Sequence, residues 1–303
     1  MKNDRVLVAT DLSDSATEVL RYGAFVASRF GAPLTAVHAL EQLWTSFATL
    51  YGVSANDESI RSDLWEEADA TLGRRVAEAV PSDMEVTRKV RGGRASDEIV
   101  AEAKDGAARL IVIGSHGHTG LSHALLGSVA EQVIRQAPCP VLVLRSGART
   151  APQIRRILFT TDLSDGSFSA LEMAMQFARS FGAEIDVLFV IPEFSHYTPV
   201  MQRYLEDSVE TGYLETSMAR VSERLEEALG ARSAADVILN PIVKQGPVVA
   251  TVLEIASDTP HDMIVATTHG RRGVSHFVLG SVVEKIIRRA PCPVLTLRAV
   301  VDG

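Results

Sequence analysis

The sequence predicts an α/β protein built from two tandem, doubly wound, parallel five-stranded sheets. Three observations carry that expectation. The segment RVLVATDLSD at Arg5–Asp14 returns as RILFTTDLSD at Arg156–Asp165, and Val112–Arg145 aligns without a gap to Val265–Arg298 with more than half of the positions identical. One domain is therefore repeated. Short, almost wholly apolar runs alternate with longer amphipathic stretches, the pattern of strands buried on both faces and connected through helices. The length of 303 residues leaves each copy the size of an ordinary domain with its own core.

In the first copy Val6–Ala9 reads as a strand ending at Thr10-Asp11. Leu12–Phe30 places Ala16, Leu20, Ala24 and Ala27 at helical spacing, with Ser13 or Asp14 as the cap and Gly31 as the stop. Leu34–Leu40 is the second strand. Glu41–Asn56 is irregular and carries Trp44, Phe47 and Tyr51; Asp57–Ala79 is a helix, broken by Pro81. Met84–Val90 is a strand, Ala95–Ala103 a helix and Leu110–Ile113 a strand. A helix opens at Ser128, repeats Val129, Val133 and Ile134, and ends near Pro138 and Pro140, after which Val141–Leu144 is the last strand. The second copy repeats this order, with strands at Ile157–Thr160, Ile185–Ile191, Val237–Val243, Met263–Ala266 and Val294–Leu297. Its counterpart of the aromatic loop holds Phe194, His196 and Tyr197. The domains are placed at 1–147 and 153–303, joined where Ser, Gly and Pro cluster near Ser146–Gln153.

Charged residues make up 22% and hydrophobic ones 46%, a globular composition. The net charge of -8, from 30 Lys+Arg against 38 Asp+Glu, argues against a nucleic-acid backbone as partner. Cys139 and Cys292 each sit in an Ala-Pro-Cys-Pro-Val-Leu segment and form neither a disulfide framework nor a metal motif; they read as small buried residues in a reducing compartment. No apolar run has the length of a membrane span, and no charged leader with an apolar core opens the chain. A cytoplasmic protein without membrane insertion is expected.

A doubly wound sheet takes ligands at the carboxyl ends of its strands, where the winding reverses. That rule collects Asp11, Ala39 and the Gly114–Ser128 loop on one edge. In the loop, Gly114, Gly117, Gly120 and Gly127 permit positive φ and close backbone approach. The helix opening at Gly127-Ser128 offers unpaired amides and the positive end of its dipole, so an anion is favoured there without lysine. Asp11 either serves the ligand or caps the following helix, and the two roles are compatible. His116 and His123 recur as His269 and His276, but no carboxylate or cysteine accompanies them at ligand spacing, so no metal is expected.

Gly114, two residues, Gly117, nine residues and then Gly127-Ser128 resembles the nucleotide-binding signature of the universal stress protein family. The trailing Ala137–Arg145 is similar to that family's final turn and strand, and the resemblance covers nearly the whole chain, twice. It implies the adenine nucleotide alpha hydrolase-like fold and the binding of ATP or a related adenine nucleotide, with Mg²⁺ held through the phosphates. By that resemblance Asp11 lies near adenine and ribose and Ala39 lines the base pocket, while Gly114, His116, Gly117, Gly127, Ser128 and Val129 surround ribose and phosphates. The weaker counterparts are Asp162, Val190, Gly270, Gly280, Ser281 and Val282. Thr267 stands where the pattern has Gly114, and Arg271 and Arg272 replace His118 and Thr119, so tighter binding is expected in the first copy.

The implied role is a stress-response sensor or regulator rather than a fast catalyst. Neither a Walker-type GxxxxGK[ST] nor a Ser-Gly-Gly pyrophosphate loop is present. The alternatives are a slow ATP hydrolase, with His116 or Asp11 assisting, and a stress protein for a non-nucleotide small molecule. Members of the family commonly pair through their last strands. Here that implies an intramolecular pseudo-dimer with Val141–Leu144 beside Val294–Leu297, and leaves a homodimer of whole chains open.

Overall fold

A computed structural model describes residues 5–40, 58–116, 126–148, 150, 153–192, 213–230, 236–268 and 279–298. The aromatic loops around Trp44 and Tyr197 lie outside the described residues, as do Gly117, Gly120, Gly270, Arg271 and Arg272. The first half runs β1 (Arg5–Ala9), α1 (Asp14–Phe30), β2 (Leu34–Leu40), α2 (Glu58–Ala79), β3 (Val86–Gly92), α3 (Ala95–Asp105), β4 (Ala108–Gly114), α4 (Ser128–Gln136) and β5 (Val141–Leu144). The second runs β6 (Arg156–Thr161), α5 (Asp165–Phe181), β7 (Glu184–Pro192), α6 (Tyr213–Gly230), β8 (Leu239–Gly246), α7 (Val248–Asp258), β9 (Met263–Thr267), α8 (Ser281–Arg289) and β10 (Val294–Leu297). Among the described residues, no helix is long and apolar enough to cross a membrane.

The expected doubly wound parallel class is the one observed, with a difference in how the halves relate. The two five-stranded units share a single ten-stranded sheet in the order β3-β2-β1-β4-β5-β10-β9-β6-β7-β8. Every neighbouring pair is parallel except β5 and β10, which run antiparallel with Leu142 opposite Leu295. Thr296 Oγ1 donates to the Val141 carbonyl across this seam at 3.0 Å. At the outer edge, Pro241 sits within β8, where a missing N–H breaks no ladder on the open side.

Alternation along the strands divides the core into two layers. Val6, Val8, Leu110 and Val112 point to one face, where α1, α2, α5 and α6 deliver Leu20, Leu72, Leu171 and Leu225. Leu7, Ala9, Ile111 and Ile113 point to the other, against Ile99, Val133, Val252 and Ile286 from α3, α4, α7 and α8. Complete burial of each such aliphatic side chain contributes about 1.5–3 kcal/mol. Both layers continue across the seam. On the first face, Phe30 of α1 meets Phe177 of α5 edge-on at 5.1 Å, and Phe25 meets Phe181 at 5.7 Å. The Arg109 guanidinium covers the Phe30 ring at 4.2 Å from its centroid.

Local chemistry sets the element boundaries. α1 starts at Asp14 rather than Leu12, because Leu12 adopts φ 65° and Ser13 becomes the N-cap residue. Gly31 ends the helix in the left-handed region, and its amide and that of Ala32 satisfy the last carbonyls. Gly23 lets α1 press onto the sheet, since a Cβ there would stand 2.3 Å from Val8 Cγ2. β3 and β8 begin at Val86 and Leu239, two residues later than their apolar runs suggest, and α3 extends to Asp105. Between the halves Ile154 is 1% exposed, so the connecting stretch is anchored in the core.

Candidate functional site

Sheet order locates the reversal of winding in the first half. From β1 the chain proceeds to β2 and β3 on one side and returns to β4 on the other, so the crevice opens beyond Ala9 and its register partner Ile113. Asp11 follows β1 immediately. Its Oδ1 accepts from the Ser13 amide at 3.1 Å and the Ser13 hydroxyl at 2.6 Å. Asp11 thus closes the turn in front of α1 and leaves the cap position to Ser13, so the capping role is corrected. Its other oxygen, Oδ2, is buried and has no hydrogen-bond partner. Thr10 supports the same turn, accepting from the Leu12 amide at 3.1 Å, while its carbonyl contacts His38 Nδ1 at 2.9 Å. Ala39 lies near the end of β2, half-buried, in register with Arg91.

On the other side of the reversal, β4 ends at Gly114 and Ser115 turns inward at 1% exposure. The Ser115 amide donates to the Leu144 carbonyl at 2.7 Å, and the Ser115 carbonyl accepts from the Gly127 amide at 2.8 Å. This pair of bonds brings the start of α4 back to the end of β4. Ser115 Oγ contacts His116 Nδ1 at 2.8 Å, and His116 Nε2 is buried without a partner. Gly127 precedes α4 with no side-chain cap, so the first-turn amides at Ser128 and Val129 stay available. Ser128 is exposed and Val129 half-buried.

Of the two reasons the sequence offers for glycine here, close backbone approach holds and positive φ does not. Gly127 has φ -62°, and neither it nor Gly114 is among the residues with positive φ. What excludes a side chain is proximity: a Cβ on Gly127 would stand 3.1 Å from the Ser115 carbonyl oxygen, and one on Gly114 3.3 Å from that of His116. The same correction removes positive φ as an objection to Thr267, which continues β9 as ordinary strand.

The second half reproduces the scaffold. Asp162 Oδ1 accepts from the amide and hydroxyl of Ser164 at 3.1 and 2.6 Å, Leu163 has φ 62°, and Thr268 takes the place of Ser115. Here Ser164 caps α5 through the Ser167 amide at 3.2 Å. Gly280 precedes α8 uncapped, Ser281 and Val282 are exposed, and Val190 is buried near the end of β7. Asp162, unlike Asp11, has a further interaction. Among the described residues no group of three or more His, Cys, Asp or Glu is placed to hold a metal.

A cavity of about 490 Å³ lies at the opposite edge of the second half, lined by Arg29, Ile154, Arg155, Phe181, Glu184 and Ile238. It opens at the carboxyl ends of α1 and α5. Helix carbonyls there present negative charge, the wrong end for a polyphosphate.

The universal stress protein family model matches residues 2–145 and again residues 153–298. The chain belongs to the universal stress protein family. A universal stress protein of Mycolicibacterium smegmatis is 25% identical over 97% of this chain and 96% of its own length. One from Methanocaldococcus jannaschii is 33% identical, over 46% of this chain and 81% of its own length. A solved universal stress protein of Archaeoglobus fulgidus shares the fold, with a TM-score of 0.67 at 22% identity over 99% of this chain and 100% of that one.

The cysteines of this universal stress protein stand apart from the site. Cys292 is buried, Cys139 is partly so, and neither forms a disulfide. Burial pushes the Cys139 thiol up to about 12 against smaller opposing contributions from the Ile111 backbone and Arg298, which leaves it protonated and a poor nucleophile. Three partners of the site escape a reading by family motif: Thr10, Ser13 and Ser115. The first two were visible in the repeated Thr-Asp-Leu-Ser-Asp segment; Ser115, replaced by Thr268 in the second half, had no such signal.

Proposed function

We propose that the first half binds ATP or a related adenine nucleotide at the edge between β1 and β4, and that this protein acts as a nucleotide-dependent regulator of a stress response rather than as a fast catalyst. The observation that carries the reading is Asp11 Oδ2, a buried carboxylate oxygen without a partner, set across the reversal of winding from the uncapped start of α4. A carboxylate accepts from ribose hydroxyls or an exocyclic amine, and open helix amides donate to phosphate oxygens. The unpartnered Nε2 of His116 adds a second polar atom on the same edge. In this reading Ala39 borders the base, while Gly114, His116, Gly117, Gly127, Ser128 and Val129 follow the ribose and phosphates, with Mg²⁺ held by the phosphates. Asp162, Val190, Gly270, Gly280, Ser281 and Val282 form a weaker second site, since Thr267 places a side chain where the first site has Gly114.

A ligand acts as a regulator only by binding two states unequally. The antiparallel β5–β10 seam supports an intramolecular pseudo-dimer as the working unit. Calorimetric titration with ATP and Mg²⁺ tests the binding, with Asp11→Ala as the comparison. Absence of binding to the unaltered chain overturns the proposal. Turnover above about one per second at saturating ATP replaces the regulator with an enzyme.

A further inference from the structure

The two short helices that start at the candidate anion sites are each held at the far end by an arginine from the other half. Arg298, the residue after β10, donates through its guanidinium to the carbonyl of Arg135 in the last turn of α4. Reciprocally Arg145, the residue after β5, donates through Nε to the carbonyl of Ala290, the C-cap of α8, at 3.0 Å.

The backbone closes each contact into a ring that passes through both halves. The start of α4 is tied to Ser115, and Ser115 is tied to Leu144 of β5. β5 pairs with β10, and Arg298 at the end of β10 returns to the end of α4. The mirror ring joins Gly280 to the Thr268 carbonyl at 3.2 Å, the Thr268 amide to Leu297 at 2.9 Å, β10 to β5, and Arg145 to α8.

We propose that Arg298 is a positioning residue for the nucleotide site of the first half, and Arg145 for that of the second. α4 has only nine residues, so a contact at its end acts together with the packing of Val133 and Ile134 on the direction in which its opening amides point. A guanidinium at the carboxyl end also complements the dipole whose positive end faces the phosphates. The first site is therefore completed by the half of the chain that does not contain it. This inference rests on the nucleotide reading given above.

The test combines calorimetry with ATP, amide shifts of Ser128 and Ser281 in labelled full-length protein, and thermal melting, for Arg298→Ala, Arg298→Lys, Arg298→Glu and Arg145→Ala. Arg298→Ala is expected to weaken ATP binding at the first site about three- to tenfold and to move the Ser128 amide in nucleotide-free protein. Arg298→Lys recovers part of the affinity and Arg298→Glu loses more. Arg145→Ala moves the Ser281 amide instead and leaves first-site affinity within about twofold, below the change expected of lost dipole complementarity. The inference is overturned if Arg298→Ala lowers the melting temperature while affinity and the Ser128 amide hold still. Should Arg298→Ala fail to fold, an Arg298→Met variant, which keeps the aliphatic stem but neither the charge nor the donors, overturns it equally if its affinity and Ser128 shift are unaltered. If the unaltered chain binds no ATP, the nucleotide reading falls, and the Ser128 shift on its own decides whether Arg298 positions α4.

Discussion

Asp186 Oδ2 and His261 Nε2 face each other at 2.9 Å inside the second half, with both side chains almost wholly removed from solvent. Arg156 Nε donates to the same Oδ2 at 2.9 Å, and Asn240 Nδ2 to Oδ1 at 2.9 Å. Burial pulls the Asp186 carboxyl upward, but hydrogen bonds from Asn240, His261 and Arg156 outweigh it and hold the pKa below its ordinary value. A depressed folded-state pKa stabilises the protein above the unfolded carboxylate value, about 3.9, and that contribution fades as pH falls through the folded value. Asp186→Asn is expected to cost about 1 kcal/mol near neutrality, because Arg156 loses one counter-charge but is 37% exposed and keeps Glu184 at 3.4 Å. Thermal melts from pH 7 down to about 3 should show the gap between variant and unaltered protein narrowing below about pH 4.

Gly127→Val should weaken ATP binding at least about tenfold, by forcing the start of α4 away from Ser115. The cause is the 3.1 Å approach of a Cβ to the Ser115 carbonyl oxygen, so even Gly127→Ala should show part of the loss. Calorimetry checks the affinity, and circular dichroism confirms that the fold survives.

Asp11→Asn and Asp11→Ala separate the two duties of that side chain. The amide retains an acceptor for Ser13 but loses the carboxylate charge, so ATP affinity should fall about tenfold with little change in melting temperature. Alanine removes the turn as well, and its melting temperature should also drop. Equal affinity in all three proteins would remove Asp11 from the site.

Cys139 should resist thiol reagents in the native protein. With its thiol pushed up to about 12, almost no thiolate exists near pH 8. Spectrophotometric titration with a disulfide reagent should register the two cysteines only after denaturation.

The parallel sheet was legible because strands such as Leu110–Ile113 are buried on both faces and so lack polar residues, and because the repeat fixes which run pairs with which. Asp11 and the Gly127-Ser128 start were legible too, since strand ends and helix starts leave local marks. At Gly114 and Gly127 the expected close approach holds and the expected positive φ does not: sequence shows that a side chain is absent, not which of conformation or a close neighbour excludes it. Asp186 and His261 are 75 residues apart, with β8 and two helices between them, and Arg298 and Arg135 belong to different copies. No periodicity marks such partners, because chain crossing rather than local pattern brings them together. The late start of β3 at Val86 has a local origin instead, as Met84 belongs to a turn closed on Pro81.

The antiparallel meeting of β5 and β10 has a consequence for how the protein responds to dilution. Both strands are carried on one polypeptide, so they encounter each other at a local concentration fixed by the tether around Ile154 and not by cellular abundance. A two-chain assembly with the same seam would form only as its concentration allowed.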